Sequence, residues 1–292
     1  MSYELKMQIK EVNATRILNP TSIDLGEYVI NPYKGCQFSC LYCYVRYNKV
    51  VKAEPRQWGD YVDARINAPE QLEKELSLKK PRRVLLGSTT ECFQPIEAKY
   101  RLTGRILEIL NKNGVYYSIL TRSPLIIDYI SLLSKGLCEG VYFTINNFDD
   151  KLKFLLEPKS PPFQARTNAI NKLLEHKIPV IPYLSPVLPR ISDTKSIFSV
   201  FGGAGRIDFE GLNFNLGNIK EVIGAIGSLY PDRKELYENM ATDINIYNAV
   251  WDITRKDIMR QAINAKKNHD IYIHQLHSYF NNKYREPLKA NL

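Results

Sequence analysis

Three cysteines, Cys36, Cys40 and Cys43, fall within eight positions of one segment, Asn31-Pro-Tyr-Lys-Gly-Cys-Gln-Phe-Ser-Cys-Leu-Tyr-Cys-Tyr44, spaced C-x3-C-x2-C. Thiolates bind soft and borderline metals, so this loop could hold zinc or an iron–sulfur cluster. A structural zinc site takes four ligands, commonly as two separated pairs. Here three are crowded together, and the nearest histidine in the chain is His176. Three ligands on one loop match three corners of a cubane [4Fe–4S] cluster and leave one iron open to a reactive group. Zinc and three merely packed thiols are the alternatives. Five cysteines in all, an odd number with three crowded together, favour metal or redox chemistry over a disulfide framework.

Such a loop needs a rigid scaffold, and the rest of the chain reads as one. Tyr28–Ile30 is a short strand feeding the loop, with Asn31-Pro32 and Lys34-Gly35 as turn signals. Residues 44–66 read as a long irregular excursion. Pro69 opens a helix that places Leu72 and Leu76 on one face. A rhythm follows. Strands are expected at Arg83–Gly87, Val115–Thr121, Val141–Ile145, Ile178–Leu184 and Phe209–Leu216. Helices are expected at Arg101–Leu110, Ile126–Leu133 and Gln164–His176. Strand–helix alternation implies βαβ units and a parallel sheet, with the site at the carboxyl ends of the strands. The expected fold class is α/β, a partial (β/α)6 TIM-type barrel with a helical C-terminal extension. The expected domains are 1–217 for the barrel and its lead-in, and 218–292 for a helical cap.

Length, 292 residues with 44% hydrophobic and 24% charged, suits a globular chain with a sizeable core. No apolar run reaches the ~20 residues of a membrane span, and the first ten residues lack an apolar signal core. The expectation is a cytoplasmic protein with no membrane partner. A net charge of +9 is compatible with a nucleic-acid partner, although the charges are spread along the chain.

C-x3-C-x2-C with Tyr42 before the last cysteine resembles the signature of the radical S-adenosylmethionine (SAM) enzymes. Tyr28–Cys36, Thr90–Glu97, Leu156–Pro158 and Ser185-Pro186 are similar to the spore photoproduct lyase-like branch, often described as DNA repair photolyases. The resemblance covers roughly residues 15–190. It implies a [4Fe–4S] cluster on Cys36, Cys40 and Cys43, with the amino and carboxylate groups of SAM on the open iron. It implies reductive cleavage to a 5′-deoxyadenosyl radical, which abstracts a hydrogen atom from a nucleic acid or nucleotide base. An electron donor such as flavodoxin or ferredoxin is implied as a partner. Radical modification of a peptide or small metabolite is the alternative. From another class, the rival is a non-catalytic, metal-binding nucleic-acid-binding protein. No cysteine follows Cys138, which weighs against the cysteine-rich C-terminal extensions of many peptide-modifying members.

Carried onto this sequence, the resemblance gives Tyr42 to the adenine and the strand end Gly87-Ser88-Thr89-Thr90-Glu91 to the methionine ammonium. It gives Arg122 to the carboxylate, Thr144 and Asn146 to ribose and carboxylate, and Ser185-Pro186 to the adenine through its backbone. Thr144 and Asn146 are two apart and so share a strand face. Thr89 stands where the branch's hydrogen-donating cysteine is expected. Cys92, three residues on, is the substitute candidate for catalysis, with an ordinary buried thiol as the other reading. Tyr44, directly after the cluster, is a second catalytic candidate or a packing residue. Arg166 either faces a substrate phosphate or stabilises the barrel rim. Cys138 reads as a core residue at a helix end. His274 and His277, at i and i+3 of an expected helix, could bind a metal but, with no other ligand nearby, read as surface residues.

Overall fold

The computed structural model describes residues 7–265 and 269–274. The chain divides into two compact units. One comprises Met1–Ser39, Val50–Phe143 and Lys159–Val180, the other Cys40–Lys49, Thr144–Pro158 and Ile181–Leu292.

In the first unit, strands β1 (Gln8–Val12), β2 (Asn19–Pro20), β3 (Tyr28–Ile30), β4 (Tyr33–Gly35), β5 (Tyr61–Arg65), β6 (Arg83–Leu86), β7 (Tyr116–Thr121) and β8 (Cys138–Thr144) form two sheets. The larger runs β2-β3-β6-β7-β8, parallel from β3 onward, with β2 antiparallel at the edge. Its inner strands are continuous apolar runs; Val84, Leu85, Leu86 and Ile119 are fully buried. That is the pattern of a parallel sheet covered on both faces. The helix Leu102–Lys112 covers it with Ile106, Leu107 and Leu110 inward. The smaller sheet, β1-β5-β4, was not legible in the sequence; β5 lies inside the segment expected to be irregular.

In the second unit, β9 (Val180–Val187), β10 (Arg206–Gly211) and β11 (Asp270–His274) are parallel neighbours. Asp149 and Asp193 cap the helices Asp150–Leu156 and Thr194–Val200 by accepting backbone N–H bonds. The strand expected at Phe209–Leu216 ends early, at Gly211. Its later apolar residues Leu212, Phe214 and Leu216 are buried in the core cluster of this unit without being a strand. Burial of alternate residues alone produced the strand-like pattern. The extension from 218 is helical through Ile219–Leu229, Pro231–Thr242 and Ile244–Asn264, and then returns as β11. His274 is therefore on a strand rather than a helix, and His277 lies outside the described residues. Cys138 opens β8 rather than ending a helix, and is buried.

Candidate functional site

In the first unit the cysteine segment leaves β4 through Gly35, whose φ is +91°. A Cβ there would lie 2.3 Å from the Tyr61 carbonyl oxygen, so only glycine fits. Cys36 follows at once. The segment is tied to the end of β6 by a buried polar network. Thr90 Oγ1 donates to the Gly35 carbonyl at 2.5 Å, and Gln94 Nε2 donates to Thr90 Oγ1 at 3.2 Å. The Gln37 N–H donates to Gln94 Oε1 at 2.8 Å, and the Ile96 N–H to Gln37 Oε1 at 2.7 Å. The Thr89 N–H donates to Asn31 Oδ1 at 3.0 Å.

The loop after β6 also needs its glycine. Gly87 has φ +90°, and a Cβ would stand 2.6 Å from the Leu120 carbonyl oxygen. Glu91 is buried and accepts from Thr121 Oγ1 at 2.6 Å, the Arg122 N–H at 2.9 Å and the Phe93 N–H at 3.0 Å. Burial pushes its carboxyl up in spite of those bonds. Glu91 thus holds the ends of β6 and β7 together, while Ser88 and Thr89 are half-buried at the turn. Arg122, half-buried, is the cation whose field acts on Glu91.

Cys92 is fully buried. Burial first, then Glu91, Glu97 and Cys36, push its thiol well above the ordinary range, so it keeps its hydrogen. Arg166 is 1% exposed and donates from Nε to the Pro161 carbonyl at 2.8 Å. This placement fits the reading of Arg166 as a residue that stabilises the barrel rim better than the phosphate contact.

In the second unit the turn Cys40–Cys43 is held from several sides. The Leu41 N–H donates to the Leu156 carbonyl at 2.8 Å, and Asn218 Nδ2 donates to the Leu41 carbonyl at 2.9 Å. Arg46 Nε donates to the Cys40 carbonyl at 3.0 Å. Tyr42 OH donates to Glu157 Oε1, and Glu157 is fully buried. Asn146 Nδ2 bonds Glu157 Oε1 at 2.7 Å, the Ser185 carbonyl at 2.8 Å and Tyr42 OH at 3.1 Å. Two of those partners only accept, which fixes the amide's orientation. Asn146 Oδ1 is then left buried with no partner among the described residues. Such an atom is costly unless something donates to it. Thr144, Tyr42 and Ser185 are half-buried, and Tyr44 is exposed at 48%. The Tyr44 hydroxyl is pushed up to about 12 by desolvation, then by Cys43 and Glu210.

None of the five cysteines is in a disulfide. Among the described residues no three His, Cys, Asp or Glu side chains converge as round a single metal ion. A cubane asks for something else, one thiolate per iron. The reduced thiols suit iron ligation, and within the second unit the acceptor-only orphan at Asn146 Oδ1 fits a ligand rich in hydroxyl and ammonium donors.

Sequence reasoning quoted Glu157 without giving it a role, and missed Asn31, Gln37, Gln94 and Glu210. The one signal for Gln94 was a polar residue enclosed by Phe93, Pro95 and Ile96.

Comparison with known proteins places these observations. Residues 30–195 match the family model for the radical SAM superfamily. Uncharacterized protein MJ0683 of Methanocaldococcus jannaschii is 32% identical over 262 residues, covering 88% of this chain and 98% of that protein. Uncharacterized protein ORF301 of Acidianus two-tailed virus is 28% identical over 171 residues, 56% of each chain. Among solved structures, a cysteine-to-serine mutant of spore photoproduct lyase superposes with a TM-score of 0.57 at 17% identity. The match covers 76% of this chain and 66% of the lyase. A double mutant of the lyase with bound AdoMet and dinucleoside spore photoproduct gives 0.55 at 18% identity, covering 76% and 66%. At these identities the likeness shows the fold, an α/β partial barrel of TIM type. Among the described residues no helix is long and apolar enough to cross a membrane.

Proposed function

The chain belongs to the radical SAM superfamily, and from that premise we propose that it cleaves SAM reductively and takes a hydrogen atom from a nucleic acid or nucleotide base. The superfamily's cofactors, a [4Fe–4S] cluster and SAM, are those of this chain, and the chemistry requires an electron donor. Flavodoxin or ferredoxin is the proposed donor, and a reducing, cytoplasmic compartment suits the reduced thiols. When bound, the cluster and SAM supply one-electron cleavage of the sulfonium and the hydrogen abstraction that follows.

The chain's own residues bind, orient and shield. Cys36, Cys40 and Cys43 would hold the cluster. Tyr42 offers a ring beside the last thiol, anchored through its hydroxyl on Glu157. Asn146 offers its Oδ1 to a donor of the ligand. Thr144, the Ser185 backbone, Ser88, Thr89 and Arg122 are proposed as further SAM contacts. Thr90 and Glu91, committed to protein partners, hold that surface in shape. Cys92, whose sulfur retains its hydrogen, is proposed as the hydrogen source for the substrate, and Tyr44 as a second candidate.

The single observation that carries this reading is the orphaned Asn146 Oδ1 in a buried network that includes Tyr42 of the cysteine turn. The nucleobase is supported by the net charge of +9 and by the lyase whose structure holds a dinucleoside photoproduct. Incubating the reduced enzyme with deuterated oligonucleotides, peptides and small metabolites tests it. Deuterium in 5′-deoxyadenosine from the oligonucleotide alone is the expected result; transfer only from a peptide or metabolite would replace the substrate assignment.

A further inference from the structure

The second unit carries a polar sheet face that the reading above does not use. Along β9, β10 and β11, the apolar residues Leu184, Ile207, Phe209, Ile271 and Ile273 are buried. The alternate positions are Tyr183, Ser185, Arg206, Asp208, Glu210, Tyr272 and His274. Period-two alternation puts each set on its own face. The polar set is organised. Ser185 Oγ donates to Glu210 Oε2 at 2.5 Å, and the Tyr183 hydroxyl bonds Glu210 as well. His274, opposite Glu210 in the strand register, bonds Asp208 Oδ2 from Nε2 at 2.9 Å. Arg206 grips Asp208 at 2.6 and 2.7 Å and stacks its guanidinium 3.7 Å from the Tyr272 ring centre. The Tyr183 and His274 rings meet edge to face at 5.7 Å.

Two features distinguish Glu210 from Asp208. Asp208 is sealed, 0% exposed and gripped by Arg206 and His274. Glu210 is half-buried, takes hydrogen bonds from the Ser185 and Tyr183 hydroxyls, and feels His274 and Asp208 beside it. Desolvation pushes its carboxyl up, which favours the neutral acid, one O–H donor beside one acceptor. Ser185 then connects this acid to the candidate SAM contacts: its hydroxyl bonds Glu210, and its carbonyl bonds Asn146, whose Oδ1 is the buried orphan.

Resting on the nucleobase reading above, we infer that Glu210, positioned by Ser185 and Tyr183, is the specificity-determining residue that reads the substrate base. A carboxylic acid pairs with an N–H next to an acceptor, the arrangement on the edges of pyrimidine and purine bases. The exposed ring of Tyr44, whose hydroxyl is near enough to interact with Glu210, offers a stacking face beside it.

The test is calorimetric binding to the reconstituted holoenzyme with SAM present. The probes are dTMP, dCMP, dAMP and dGMP, with 2-deoxyribose 5-phosphate as the base-free comparator. Wild type should bind at least one nucleotide roughly tenfold or more tightly than the comparator, the scale of one bidentate base contact. Glu210→Ala should reduce that ratio to near unity without changing affinity for the comparator, and Glu210→Gln, which keeps a donor beside an acceptor, should restore most of it. A purely structural Glu210 would move both affinities together. If Glu210→Ala keeps the wild-type ratio, the inference fails while the nucleobase reading stands. If wild type shows no preference over the comparator, the nucleobase reading fails and the inference with it. Melting temperatures of both variants identify a folding defect, and in that case Glu210→Gln alone decides.

Discussion

Thr90 Oγ1 donates to the carbonyl oxygen of Gly35 at 2.5 Å, one residue before Cys36. The hydroxyl of this buried threonine makes the start of the cysteine loop and the end of β6 one hydrogen-bonded piece. Thr90→Val keeps the shape and removes the donor. The Gly35 carbonyl loses its partner, and a cost of about 1–2 kcal/mol is expected. Denaturant unfolding should show that loss, and iron retention after reconstitution should fall with it. Unchanged stability and iron content would mean the bond does not hold the loop.

Asn146 carries the clearest ligand signature. Asn146→Ala should raise the KM for SAM about tenfold or more, because it removes both the orphan acceptor and the amide that orients Tyr42 and Glu157. Asn146→Asp should be worse, since it sets a second carboxylate where the amide meets Glu157 at 2.7 Å. Steady-state 5′-deoxyadenosine release against SAM concentration measures this. A KM within twofold of wild type in both variants would remove Asn146 from the cofactor site.

The cysteines separate by role. Cys36→Ala, Cys40→Ala and Cys43→Ala should each abolish SAM cleavage. Cys138→Ala, a buried position on β8, should leave it intact apart from a modest stability loss. Cys92→Ala should keep SAM cleavage and change what becomes of the substrate. Loss of cleavage in Cys92→Ala would assign that thiol to structure or cofactor binding.

Acid stability should depend on Glu54. Arg56 and Lys34 hold its carboxyl well below the usual carboxylate range. A folded-state value lower than the unfolded one contributes stability that is full above the unfolded value and is lost as pH falls through the acid range. Denaturant midpoints from pH 6 downward should therefore fall less steeply for Glu54→Gln than for wild type. Parallel curves would show that the ion pairs contribute nothing to folding.

The sequence made β3, β6, β7, β8 and β9 legible because parallel strands buried on both faces are continuous apolar runs. It gave no strand at β1, read β5 as irregular and placed β11 in a helical cap, because none of these is a continuous apolar run. Gln8–Val12 is mostly exposed, and Tyr61–Arg65 carries Asp63 into a buried ion pair with Arg56. Of the site, the thiol spacing was readable, whereas β8 ends at Thr144 and leaves Asn146 beyond the strand on which the sequence placed it. The parts made by partners distant in sequence were not readable. Glu91 reads as an acceptor for the SAM ammonium until Thr121 and Arg122 are folded against it, and Arg166 stays open between a phosphate contact and the barrel rim until its burial is known.

The central claim is that Cys36, Cys40 and Cys43 carry a [4Fe–4S] cluster that cleaves SAM. The most direct measurement is anaerobic reconstitution with iron and sulfide, then reduction and assay for 5′-deoxyadenosine. A brown protein binding about four irons and releasing 5′-deoxyadenosine only with SAM and reductant is the predicted result. A colourless protein that holds one zinc and releases none would contradict it.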